Sequence, residues 1–167
     1  MGNEMEQLDL ESEQIKEVYA RFGLAIYQAQ CLERQLAILL STEYGPGPTR
    51  MTRDQYDELL HSFFQKTLGS LINHLRKSIE IPDDLESILT ETLKKRNWLA
   101  HHYFWEKAGQ FMTAEGRITM IRELQSIADS FNRIDQQLTE ISHIWAEHHG
   151  ITEEIIQKHL EKLLKNG

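Results

Sequence analysis

The feature that most constrains this chain is where its helix breakers fall. Three prolines serve 167 residues, and two of them share the stretch "YGPGPT", where Gly45, Pro46, Gly47 and Pro48 end any helix that reaches them. The third is Pro82. Between breakers the sequence is rich in Leu, Ile, Glu, Gln and Lys, residues that lose little freedom in a helix, so the expected class is all-α. A helix is predicted over about 12–43, ended by "YGPGPT". Thr52 with Gln55 has the spacing of a capping box and opens a second helical region to about Ile79, interrupted near 65–69. Asp83 with Glu86 makes a second box, starting a helix that runs from Asp84 to about Lys107. After a connection around "AGQFMTAEG", a long helix is predicted from about Arg117 to His148, and Thr152 caps a short helix over 152–165.

These segments imply one domain over 1–167, with a core bundle in 12–148. The hydrophobic content of 40% is enough for one core at this length. A formal charge of −8 opposes non-specific attraction to phosphates, so any nucleic-acid site must be local. The single Cys31 precludes an internal disulfide framework and suits a reducing, cytoplasmic location; within its apolar helical stretch it reads as a core thiol. The acidic start "MGNEMEQLDLESEQ" is unlike a signal peptide and a poor myristoylation match, and no apolar run approaches the roughly 20 residues of a membrane span. No membrane partner, cofactor or metal is expected. His143, His148 and His149 lack the spacing of a zinc site, and there is no phosphate loop, dinucleotide fingerprint or nucleophile elbow.

One stretch resists a purely structural reading. In "KKRNWLAHHYFWEK", Lys94 to Lys107, each residue of a helix advances by about 100°, which puts Leu85, Leu89, Leu93, Ala100 and Tyr103 within about 60° of Arg96. Ile88, Leu99 and Phe104 flank the same face. Arg96 therefore sits in an apolar stripe, and a guanidinium there needs an acidic partner. Glu33 is the leading candidate, because it falls on the stripe formed by Phe22, Ile26, Ala29, Leu36 and Leu40. Asp135, which interrupts Leu124, Ala128, Phe131 and Leu138, is the second. Asn97 and His101 share one edge at i, i+4 spacing, while His102 points to the other edge. On this straight helix Trp98 and Trp105 lie about 20° apart, opposite the stripe, where packing against another element or subunit is expected before base stacking.

"RNWLAH" resembles the signature of the HEPN superfamily: arginine, a polar residue, four to six positions, histidine. The order of parts is similar too, with a long first helix carrying an inward acid, the signature late in a later helix, and another long helix after it. The resemblance implies an up-and-down bundle of four to five helices that commonly dimerises, bringing two signatures into one cleft. Many members are metal-independent ribonucleases of toxin or defence type, which brings RNA and a cognate antitoxin in as expected partners. Others are non-catalytic binding or assembly modules. On the first reading His101 is the acid/base, since imidazole is the side chain whose charge changes near neutral pH. Arg96 stabilises phosphate charge, and Asn97 holds its neighbours or the phosphate. Lys94, Lys95 and His102 form a candidate RNA-contact set, although a solvated helix face accounts for the two lysines equally well. On the second reading the same residues cement helices, and the tryptophan face meets a partner.

Overall fold

A computed structural model describes residues 2–44, 52–78 and 83–148, and all of its regular structure is helical. The elements are α1 (Gly2–Tyr44), α2 (Arg53–Phe64), α3 (Leu68–Ser78), α4 (Asp83–His101), α5 (Tyr103–Glu106), α6 (Ala108–Phe111) and α7 (Ala114–His148). The predicted helix over 152–165 and its Thr152 cap lie outside the described residues, as does the "GPGPT" breaker. The capping box at Thr52 is present in both halves: Gln55 N donates to Thr52 Oγ1 at 3.3 Å, and Thr52 N donates to Gln55 Oε1 at 3.0 Å. The interruption expected near 65–69 is the turn between α2 and α3.

Contacts fix the directions of the long helices. Arg117 meets Gln14, Arg21 meets Gln125 and Gln35 meets Ser142, so α1 and α7 run parallel along their length. Arg96 meets Glu33 and Tyr103 packs against Phe22, so α4 runs antiparallel to α1. Ser41 bonds Tyr56 while the Arg34 guanidinium lies over the Phe64 ring, so α2 also opposes α1. Arg76 on α3 reaches Glu86 and Thr90 on α4, whereas Gly69 faces Leu93, which sets those two antiparallel. Successive long helices thus alternate in direction, and the result is a helical bundle with two core regions. One joins Leu32, Leu36, Leu39 and Leu40 of α1 to Leu71, Leu75, Leu89, Ile134 and Leu138. The other joins Val18, Ala25 and Ala29 to Leu99, Tyr103, Leu124 and Phe131.

The fourth helix departs from expectation at its end. It stops at His101, and His102 has φ −130° and ψ −20°, outside the α region. Backbone bonds remain on either side of this point, with His102 N to Trp98 O at 2.8 Å and Glu106 N to His102 O at 2.9 Å. The bend therefore leaves those donors satisfied. Its gain is aromatic packing: Phe104 lies against Tyr19, Phe22 and Phe111, with centroids 5.6, 4.9 and 6.0 Å away. The predicted connection "AGQFMTAEG" contains α6, and α7 begins at Ala114, three residues before Arg117. Thr113 caps α7 by accepting from Gly116 N at 3.1 Å, while its own N–H returns to Gln110 O at 3.2 Å. Gly116 is required here, because a Cβ at that position would fall inside the Gln110 carbonyl group.

Candidate functional site

The buried positions of α4 are Leu85, Leu89, Thr92, Leu99 and, past the bend, Tyr103. This stripe is shifted slightly from the expected one. Thr92 is inside it, bonding back to Ile88 O at 2.7 Å, whereas Ala100 and Ile88 are exposed and Leu93 is half-buried. Arg96 remains on its edge. The side chains of Arg96 and Glu33 are 29% and 21% exposed, with Arg96 Nη2 2.8 Å from Glu33 Oε1. That contact is electrostatic rather than a directed hydrogen bond: Oε1 is shielded from solvent and has no aligned donor among the described residues. The other terminal nitrogen, Nη1, donates to Asn97 Oδ1 at 3.2 Å.

Asp135 is half-buried on α7 and does not take part in this pair. Burial pushes its carboxyl above the usual carboxylate range.

Asn97 and His101 are exposed, and His101 is the last residue of α4. Its ring centroid is 6.3 Å from that of His102, which is also exposed. The three signature residues thus run from a half-buried guanidinium, hydrogen-bonded to Asn97, to an exposed imidazole at the end of the helix. The lysines do not join them as a set. Lys94 is held by Glu91 on its own helix at 2.7 Å, an exposed pair of little energetic weight. Lys95 lines a separate cavity of about 220 Å³ between α4 and α7, with Glu91, Thr92, Ser130 and Phe131.

The two tryptophans part at the His102 bend. Trp98 is half-buried: its Nε1 donates to Glu106 Oε2 at 2.7 Å and its ring packs edge-on against Tyr103 at 5.0 Å. Trp105 is 87% exposed, so the pair shares no packed face. Cys31 is half-buried rather than fully in the core. His143 is exposed, and no cluster of three metal-ligating side chains occurs among the described residues.

Several polar groups escaped sequence reasoning. Arg117 is only 4% exposed; its Nε donates to Gln14 Oε1 at 3.0 Å, and its Nη1 donates to Phe111 O at 3.1 Å and pairs with Glu11. It ties α6, α7 and the start of α1 together. Lys107 pairs with Glu123 at 2.9 Å and lies over the Trp98 ring, and Glu123 also accepts from the Tyr103 hydroxyl. Burial, and then the charge of Glu123, pushes the Tyr103 phenol well above its ordinary range. Among the described residues, Arg34 and Lys66 meet aromatic rings and no carboxylate. Apart from Lys66, which faces the Phe63 ring three positions earlier, each is defined by a neighbour distant in sequence.

Among the described residues no helix is long and apolar enough to cross a membrane. Compared with known protein families, with curated proteins and with solved structures, the chain gives no match.

Proposed function

We propose that this chain is a HEPN-like, metal-independent endoribonuclease of toxin or defence type, acting in the cytoplasm through a cleft completed by a second copy. The observation that carries this reading is the change in exposure along the last turns of α4. Arg96 is held inward by Glu33, Asn97 bonds the same guanidinium, and His101 stands in solvent where the helix ends. Glu33 orients Arg96 without exhausting it, since a guanidinium has five N–H donors and only two directions are taken here. The remaining donors serve a phosphate. The alternating helices, with an inward acid on the first, agree with the same assignment.

The chemistry needs no metal. One imidazole removes the proton from the 2′-hydroxyl, whose oxygen attacks phosphorus. Arg96, aided by Asn97, stabilises the charge that builds on the non-bridging oxygens. A protonated imidazole then donates to the departing 5′-oxygen, leaving a 2′,3′-cyclic phosphate and a 5′-hydroxyl. His101 fills one of these roles and His101 of the second copy fills the other. His102 assists by contacting the RNA backbone, and a cognate antitoxin would restrain the activity.

The test is cleavage of mixed RNA in EDTA by wild type and His101→Ala, with oligomeric state measured alongside. Wild-type dimer should cut, and His101→Ala should lose at least about 100-fold, the usual range for a positioned acid or base. Intact RNA with purified dimer, or unchanged cleavage by His101→Ala, overturns the assignment. The second reading is a non-catalytic binding or assembly module. It is favoured by Trp105, a large aromatic left 87% exposed two turns after Trp98, as an interface anchor would be.

A further inference from the structure

We propose that the crevice between α1 and the α2–α3 turn binds a phosphate monoester, separately from the Arg96–His101 edge. The crevice has a volume of about 260 Å³ and is lined by Gln30, Glu33, Arg34, Phe63, Phe64 and Lys66. Its charge is unusual for so acidic a chain. Glu33 is its one acid and is already neutralised by Arg96 at 2.8 Å. Arg34 and Lys66 then leave two positive charges, and among the described residues neither meets a carboxylate. A phosphate monoester, carrying between one and two negative charges at neutral pH, matches that excess.

The cations are also partly pre-ordered. The Arg34 guanidinium lies 4.1 Å from the Phe64 ring centroid, and Lys66 Nζ lies 5.9 Å from that of Phe63. A guanidinium stacked by its face keeps its N–H edge free for oxygen atoms, and ordering a long side chain in advance lowers the entropic cost of binding. The 11-residue α3 starts at Leu68, between the lining residues Lys66 and Leu71. The positive end of its dipole is therefore at the crevice, and the Gln30 amide adds a donor. A phosphate ester satisfies these groups together; an apolar ligand would leave two cations desolvated.

This assignment does not rest on the ribonuclease reading, because Arg34 and Lys66 have no part in that reaction, although Glu33 both lines the crevice and meets Arg96. The phosphate could come from a small ester or from the end of an RNA strand. Calorimetric titrations of full-length protein with inorganic phosphate, adenosine 5′-monophosphate, and a short RNA with or without a 5′-phosphate distinguish these sources. At least one phosphate-ended probe should bind at millimolar concentration or better, and the 5′-hydroxyl RNA more weakly than its phosphorylated counterpart. Arg34→Gln and Lys66→Gln should each weaken that binding about tenfold or more, with helical circular dichroism unchanged. Glu33→Gln, if folded by the same criterion, should tighten it by removing the one negative charge. Absence of binding by every phosphate-ended probe, equal affinity in the Arg34 and Lys66 variants, or weaker binding by a folded Glu33→Gln overturns the proposal.

Discussion

Replacing Arg96 by methionine isolates the ion pair at the centre of the bundle. The side chain keeps its apolar stem, but Glu33 Oε1, shielded from solvent, loses the cation 2.8 Å away. Removing one member of a fully buried pair costs about 3–5 kcal/mol, whereas an exposed pair is worth about 0–1 kcal/mol. With side chains 29% and 21% exposed, Arg96–Glu33 lies nearer the buried limit. The discount for partial exposure gives a loss of about 3 kcal/mol for Arg96→Met. For a chain of this size that lowers Tm by about 6–12 °C. Glu33→Leu should cost less, about 1–2 kcal/mol, because Arg96 retains Asn97 and some water. The double variant leaves no uncompensated charge and should be more stable than the sum of the singles implies, with a coupling of about 2 kcal/mol. Urea unfolding of the four proteins, followed by helical circular dichroism, gives the cycle. A coupling below about 0.5 kcal/mol would mean that the pair is solvated, and the account of Arg96 as an inward, oriented cation would fail.

Three further outcomes follow from single positions. Asp135 has a raised carboxyl pKa because of burial, so its ionised form is disfavoured by folding. Asp135→Asn should therefore raise Tm at neutral pH, and the gain should shrink as pH falls through the folded pKa and vanish below the unfolded value of about 4; a Tm gain independent of pH would exclude this cause. Tyr103 is raised by burial and by Glu123, so its stabilising contribution is complete below the ordinary phenol range and is lost as pH rises above about 10. Spectroscopic titration should show one tyrosine that ionises only as the protein unfolds, and Tyr103→Phe should remove that lag at a cost of about 1 kcal/mol. Glycines 116 and 23 should respond with opposite signs. Gly116→Ala drives a methyl into the Gln110 carbonyl and should cost about 2 kcal/mol or more, whereas Gly23, with open space around it within α1, should gain about 0.5–1 kcal/mol on the same change, both read by thermal unfolding.

How much of this was readable in advance depended on the range of the forces involved. The Thr52 cap and the break after α2 are local, since turn and capping residues act within a few positions, and both were legible. The odd placement of Arg96 and Glu33 was legible because each interrupts an apolar period on its own helix, and opposite charges inside a core must meet. The His102 bend was not. No proline or glycine marks it, and it coincides with the packing of Tyr103 and Phe104 against Phe22 of α1, a contact distant in sequence. Extending a uniform 100° step past that point placed Trp105 beside Trp98, and the error followed from a non-local cause. Arg117 and Arg34 were missed for the same reason, since their partners are on other helices. Lys66 faces a ring only three residues away, but as a single cation in a turn it breaks no pattern.

The bend also shapes the proposed reaction. It ends α4 at His101, so that imidazole leaves the packed helix while Arg96, five residues earlier, still rests against α1. Cleavage without metal needs two proton-transfer groups, and one chain offers a neighbouring imidazole, His102, with a centroid 6.3 Å from that of His101. If the second group is His101 of another copy, activity per chain should fall on dilution below the dimer dissociation constant, and His102→Ala should retain most of it. With paired imidazoles on one chain, His102→Ala should fall as far as His101→Ala, and dilution should leave activity per chain unchanged. The second pattern would remove the shared cleft while leaving the α4 edge as the site of chemistry.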